Sequence, residues 1–306
     1  DLTKDIDDAV QSAIPFLERE GNAWIEKRKC VSCHQVPFML WGLNAAKEAG
    51  YELKTDSLSE RSDWSLTWQS WQNPKNKNES DEASTAKGNV DTMYFVLLGR
   101  MDYEAAETNA GEKAHIRRLI IDNQQDDGSF KPGGQLPLQR RPLEETTQVS
   151  TMWTLLALPP VKDDQPRASE REKALKSLES DLSPRRTEWL VTPYLLERQL
   201  GKHNAADQHL QTLLNAQNTD GSWGWLLDES GDAFGTGIAL YALSHVDDDG
   251  IAPAVTRAKQ FLAANQGDDG AWQVPGTKAS AKGKPRETST YWGTACAVIG
   301  LCATSQ

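Results

Sequence analysis

Basic residues are the first shortage in this 306-residue chain: 33 Lys and Arg face 44 Asp and Glu, for a formal net charge of -11. A nucleic-acid or anionic-lipid surface needs a clustered basic excess. The short pairs Arg117-Arg118, Arg140-Arg141 and Arg185-Arg186 do not supply one. Long apolar runs are also missing, since the best stretches, Met93 to Gly99 and Leu155 to Leu158, fall far short of the ~18 residues of a membrane span. Few segments alternate with a period of two, which leaves little room for strands. The chain starts at Asp1 without Met or an apolar signal segment, as expected of a mature form whose targeting segment has been removed. Cysteines number four, and their placement matters more than their number.

What is present is repetition. Three segments share one grammar of Gln, an Asp-Gly turn and an aromatic residue: Asn123-Gln124-Gln125-Asp126-Asp127-Gly128-Ser129-Phe130, Ala216-Gln217-Asn218-Thr219-Asp220-Gly221-Ser222-Trp223-Gly224, and Ala264-Asn265-Gln266-Gly267-Asp268-Asp269-Gly270-Ala271-Trp272. A variable loop and an apolar helix follow each turn. Thr151, Thr236 and Thr294 each precede a Leu by seven residues, and Glu144, Glu229 and Glu287 each stand seven before the Thr. Pro142 and Pro285, followed by Glu and Thr, suit helix N-termini, where Pro loses no hydrogen bond and acidic groups meet free N–H donors.

Elsewhere the apolar spacing is helical. Ile6, Ala9, Val10, Ala13, Ile14 and Leu17 form one face, on a helix that Pro15 is expected to kink. About twelve helices in six antiparallel pairs are expected: 3–28 with 35–49, 55–72 with 89–101, 111–124 with 145–158, 168–180 with 186–200, 203–216 with 232–245, and 252–265 with 287–303.

The Gln…Asp-Gly-Ser-Trp grammar at 125–130, 217–224 and 266–272 resembles the QW motif of squalene–hopene cyclases and of the related prenyltransferase β subunits. The resemblance implies an all-α fold, a single (α/α)6 toroid over residues 1–306, with six outer and six inner helices and a cavity near the inner-helix N-termini. It also implies a structural role for the motif, Gln and aromatic tying successive outer helices together. The acid motif of the cyclases is missing from every expected inner-helix start, and Asp232 with Cys296 lacks a His companion for the zinc triad of the prenyltransferases. Cyclase activity is therefore a distant second alternative.

Cys30-Val31-Ser32-Cys33-His34 has the spacing of c-type haem attachment. Two thiols at i and i+3 can each add to a haem vinyl group, with the adjacent imidazole facing the iron. The expected cofactor is thus one covalent haem c, held by Cys30 and Cys33 with His34 as axial ligand. Zinc would need further ligands, and Cys296 with Cys302 lacks the paired spacing. His245 falls at the far end of an inner helix, and His115, His203 and His209 on outer helices. Met93 and Met152 remain as candidates for the sixth iron position, with core packing as the alternative for both. Arg140, Arg141 and Arg286 are candidate partners of the haem propionates. Glu144, Glu145, Asp232, Glu287 and Tyr291 are the candidate catalytic groups at the same end of the helices, and Asp91 and Tyr194 are expected beside them. Cys296 and Cys302, six apart on one helix, are expected to be free buried thiols.

From these residues the expected function is an extracytoplasmic haem protein that binds a small ligand or substrate at iron and carries out redox chemistry. An electron carrier with a six-coordinate haem is the alternative. Similarity to c-type cytochromes implies assembly in a periplasm or equivalent compartment, with a small molecule and a redox protein as partners. No nucleic acid and no membrane span are expected.

Overall fold

A computed structural model describes residues 1–31, 35–53, 57–132, 143–160, 165–178, 185–276, 279–281 and 283–305. Among them fourteen α-helices and no strand are found, with only isolated β-bridges such as Trp223 to Asp232. The all-α class expected from the sequence is the class observed. No helix among the described residues is long and apolar enough to cross a membrane.

Contacts divide the chain into two compact units: residues 1–22, 41–56 and 184–306, and residues 23–40 and 57–183. In the first unit α10 (Thr187–Gln199), α12 (Ala233–Leu243) and α14 (Glu287–Ala303) pack side by side, with α11 (His203–Asn215) against α10 and α13 (Ala252–Asn265) against α12. Composition sorts these layers. All of α12 is buried, whereas α11 and α13 bury only narrow stripes, Ala206, Leu210 and Leu213 in one and Ala254, Ala258 and Leu262 in the other. A helix that is apolar all round must lie inside, and one with a stripe covers it.

The repeat grammar is a clamp onto the next outer helix. Gln217 donates its side-chain amide to the Gly221 carbonyl, closing the turn, and to the Ala254 carbonyl of α13, at 2.8 and 2.9 Å. Gln266 does the same with Gly270 and with Ala9 of α1 (Leu2–Arg28), at 2.9 and 2.8 Å. In the second unit Gln124 binds Gly128 and Glu170 of α9 (Gln165–Ser177), both at 2.8 Å. The clamp residue of the first repeat is therefore Gln124, one position before the expected motif start; Gln125 donates to Asn123 instead. The shared threonines also have a task. Thr151, Thr236 and Thr294 accept the backbone N–H of Phe130, Trp223 and Trp272 at 3.0, 3.0 and 3.1 Å, which fixes each aromatic to its following helix. The structural role expected for the repeats is what these bonds perform.

Pro15 lies inside α1, on the helix where it was expected. Two sequence expectations are corrected. The helix expected over 55–72 is α3 (Leu58–Trp64) and α4 (Trp68–Trp71), because the chain turns at Ser65, whose freed carbonyl accepts the Trp71 indole N–H at 2.8 Å. An unexpected α5 (Glu82–Gly88) follows, started by a capping box between Asp81 and Ser84, a pairing that satisfies two otherwise orphaned N–H groups. The other helices are α2 (Val36–Glu48), α6 (Val90–Met101), α7 (Ala110–Ile121) and α8 (Leu143–Ala157).

Candidate functional site

The shared register of Glu144, Glu229 and Glu287 breaks in the middle repeat. Glu144 and Glu287 lie in the first turns of α8 and α14, but Glu229 is in a loop, because α12 starts one turn later with Asp232 as its N-cap. The Asp232 carboxylate accepts N–H bonds from Gly235 at 2.8 Å and from Trp225 at 2.7 Å. One oxygen caps the helix and the other holds the preceding loop.

The third repeat performs the second of these tasks without a charge. Two residues beyond its motif aromatic, Val274 donates its N–H to the Thr290 hydroxyl at 3.2 Å. Thr290 and Asp232 each stand four residues before the repeat threonine. The first repeat places Pro132, which has no N–H, at the loop position. The loop tie is thus made in the third repeat without a carboxyl, while the cap on Gly235 belongs to Asp232 alone of the two, because α14 starts a turn earlier with Arg286 as its N-cap. Asp232 is 7 % exposed, and burial pushes its pKa up to about 6, against the pull of the N–H groups of Gly235, Trp225 and Phe234.

Around Asp232 lie further buried groups, of which Arg186 and Glu188 were not among the candidates read from the sequence. Arg186, the N-cap of α10, is buried with its guanidinium 3.6 Å from the centre of the Trp225 ring and 3.6 Å from the Glu188 carboxylate. Trp223, Phe234 and Trp292 add buried aromatic surface. Cys296 lies behind, its thiol held well above its ordinary pKa by burial and then by Glu188 and Asp232. Arg186 is visible in the sequence only as half of a basic pair; the signal that marks it is an Arg directly before a helix start with Glu two residues on.

The remaining predicted residues are dispersed. Tyr291 is buried and donates its hydroxyl to the Leu17 carbonyl at 2.9 Å, a packing role. Tyr194 is likewise buried and bonds the His245 carbonyl. Glu287 and Arg286 are exposed. In the second unit Glu144 is exposed and lines a cavity of about 460 Å³ with Thr147 and Gln148, while Glu145 and Asp91 are buried. Met93 and Met152 are fully packed core residues. Cys296 and Cys302 are free and buried, as expected.

Of the attachment motif, Cys33 and His34 lie outside the described residues, as do Arg140 and Arg141. Cys30 is described. It follows Lys29, whose φ of 59° ends α1, and its thiol is free and buried, with a pKa raised by burial and then by Glu79. Among the described residues no three His, Cys, Asp or Glu converge as a metal-binding group.

Residues 168–306 match the squalene-hopene cyclase C-terminal domain family. No curated protein matches the chain. Among solved structures it is similar to the unsaturated glucuronyl hydrolase of Bacillus sp. GL1, responsible for the degradation of glycosaminoglycan, with 13% identity, a TM-score of 0.59, and coverage of 98% of this chain and 96% of that one. It is also similar to a possible member of the GH105 family from Salmonella enterica subsp. enterica serovar Paratyphi A str. ATCC 9150, with 12% identity, a TM-score of 0.54, and coverage of 88% and 81%. These likenesses are of fold, the α/α toroid class. They correct the expected function: the fold sits beside a glucuronyl hydrolase, so redox chemistry or ligand binding at haem iron, and the electron carrier alternative, are set aside. The cyclase alternative falls with them, since that family match stops short of half the chain. What this chain is similar to is an α/α-toroid hydrolase over nearly its whole length and a cyclase domain over its C-terminal part.

Proposed function

We propose that the chain is a hydrolase of the α/α-toroid class that cleaves the glycosidic bond of a short uronyl saccharide, with Asp232 as the acid. The observation that supports this reading is the buried carboxyl at a position where the neighbouring repeat manages with a hydroxyl. Burial that lifts a carboxyl to about 6 makes it a proton donor close to neutral pH, the property required of a group that protonates a departing glycosyl oxygen. The likeness to a glucuronyl hydrolase supports the choice of substrate class. A fold hosts many reactions, so the assignment rests on Asp232.

The test is incubation with an unsaturated glucuronyl disaccharide, followed by chromatography of the two saccharide products. Turnover is expected, reduced at least about 100-fold by Asp232→Asn with the helical circular dichroism intact. Absence of turnover on unsaturated and saturated uronyl disaccharides, or full activity in Asp232→Asn, overturns the reading.

The covalent group is a separate proposal, supported by the Cys30-x-x-Cys33-His34 spacing. A haem c resident there takes no step in the hydrolysis. Intact mass after maturation in a competent host tests it, and the mass of the bare polypeptide ends it.

A further inference from the structure

The first repeat departs from the other two at one bond, and a cavity opens beside the position that lacks it. Phe130, Trp223 and Trp272 are fixed alike, each N–H on the threonine of the following helix. Two residues further on, Trp225 and Val274 donate their N–H groups to Asp232 and Thr290, tying the loop to the helix start. Pro132 holds that position in the first repeat, and a proline has no N–H to give. The acceptor position, four residues before Thr151, is Thr147. Thr147 lines the cavity of about 460 Å³ at the start of α8. In the second repeat the loop fills the corresponding space: Gly231 lies so near Ser222 that a Cβ would overlap the Ser222 hydroxyl. Ser129, the equivalent of Ser222, faces the cavity instead.

The chemistry of this wall is one-sided. A hydroxyl has one proton and two lone pairs, and Thr147 spends its proton on the Leu143 carbonyl at 2.9 Å, as Ser177 does on the Ala174 carbonyl at 2.7 Å. Both meet the cavity as acceptors. Asp127 takes the Ser129 hydroxyl and N–H on one oxygen, at 2.7 and 2.9 Å, bonds that hold its carboxyl below the ordinary range. Glu144 adds a second carboxylate, and no Lys or Arg is among the described residues that line the cavity. Gln148 is buried and brings an amide to the same wall, while Leu143, 61% exposed, and Leu178 supply apolar surface.

An acceptor-rich wall with two negative charges and no facing cation selects a ligand rich in donors and free of negative charge, since like charges repel at short range. The volume falls within the roughly 300 to 1,000 Å³ of small-molecule pockets. We propose that this cavity binds a neutral saccharide unit, whose hydroxyls donate to Thr147, Ser177 and Asp127 and whose apolar ring face lies on Leu143. The cavity belongs to the second unit and Asp232 to the first, so the proposal does not rest on the hydrolase reading, and the sugar it takes is not the uronyl group assigned to Asp232.

The experiment titrates the full chain with methyl β-glucoside, cellobiose and maltose while the backbone amides are followed by NMR. At least one of the three is expected to bind, with the shifts concentrated at residues 143–148 and 177–178. Thr147→Val keeps the shape and removes the acceptor, and is expected to weaken that sugar about five- to tenfold, the worth of one hydrogen bond. Pro132→Ala restores a donor at the loop position. It is expected to rebuild the tie on Thr147, read as a slowly exchanging amide at position 132, and to weaken the sugar to a similar extent. Glucuronic acid is expected to bind at least about tenfold more weakly than the neutral sugar, and putrescine, which has no hydroxyl, more weakly too. The proposal is overturned when none of the three sugars binds, when the shifts lie away from α8, when Thr147→Val binds like the parent, or when glucuronic acid or putrescine binds as tightly. Asp232→Asn is expected to bind the sugar unchanged. A chain that cleaves no uronyl saccharide can therefore still uphold the cavity, and one that cleaves it without binding a neutral sugar keeps the hydrolase reading and loses this one.

Discussion

Trp225 donates its backbone N–H to the Asp232 carboxylate at 2.7 Å, where the next repeat has Val274 donating to the hydroxyl of Thr290. That substitution of charge for hydroxyl suggests its own experiment. Asp232→Thr copies the neighbouring repeat and keeps a side-chain oxygen able to cap α12 through Gly235. The variant is expected to fold with an unfolding midpoint at pH 7 equal to or above the parent's, and to lose hydrolysis by at least about 100-fold. Denaturant titration and turnover on the same samples check both halves. A Thr variant that unfolds spontaneously would make Asp232 a cap and nothing more.

The same carboxyl gives stability a pH dependence of definite sign. Its folded pKa of about 6 lies above its ordinary value of 3.8. Between those values the native chain holds a proton that the unfolded chain has released, so stability falls as pH rises from about 4 to about 6 and stays lower above. A pKa difference of about two corresponds to roughly 3 kcal/mol. Comparing the unfolding free energies of parent and Asp232→Thr at pH 4 and pH 7 isolates this one group, and the difference is expected to change in favour of the variant at pH 7. Parallel curves for the two proteins would refute it.

Much of the fold was legible because the repeats state their contacts in residue types. Gln, Asp-Gly, an aromatic and a later Thr name the clamp, the turn, the wedge and the acceptor, and α13 and α14 begin and end where those signals place them. The segmentation into α3, α4 and α5 was not legible, because the break at Ser65 depends on the Trp71 indole six residues away. The start of α12 was legible despite the Glu229 register, since the helix expected over 232–245 begins at the residue that caps Ala233–Leu243. The candidate site was half visible: Asp232 was named, but Arg186 and Glu188 reach it only through packing of α10 against the 223–232 loop. The haem-iron function was read from five residues, and a motif of that length speaks to covalent attachment, not to what the remaining chain does.

Arg171 of α9 supplies a test of the second unit. Its guanidinium is buried and donates to the Leu155 and Leu158 carbonyls at 2.8 and 2.6 Å, at the C-terminal end of α8, and burial lowers its pKa. A cation there meets the negative end of the helix and the carbonyls left without intrahelical partners. Arg171→Met is expected to destabilise by about 2 to 4 kcal/mol, since it strips buried carbonyls of a charged donor. Arg171→Lys is expected to recover less than half of that, lacking the forked geometry. Chemical denaturation of the two variants checks the order, and a Met variant within 0.5 kcal/mol of the parent, the range of about ±0.5 typical of inert surface changes, would show that the carbonyls find other partners.

Gly270 and Gly201 both have positive φ, 82° and 71°, yet they should respond very differently to a side chain. At Gly201 a Cβ would meet nothing within 4 Å, whereas at Gly270 it would collide with the Ser12 carbonyl of α1, the helix that Gln266 clamps three residues away through Ala9. Gly201→Ala therefore carries only the backbone penalty of a left-handed conformation, about 1 to 2 kcal/mol. Gly270→Ala carries that penalty and must also push α1 off the turn, breaking the Gln266 bonds to Ala9 and to its own turn. Its loss is expected to exceed that of Gly201→Ala by at least about 2 kcal/mol. Hydrogen exchange distinguishes displacement of α1 from a local defect: amides of α1 around Ala9 to Ala13 are expected to lose protection in Gly270→Ala and keep it in Gly201→Ala. Equal stabilities, or protection unchanged along α1 in both, would mean that the third clamp does not hold the N-terminal helix in place.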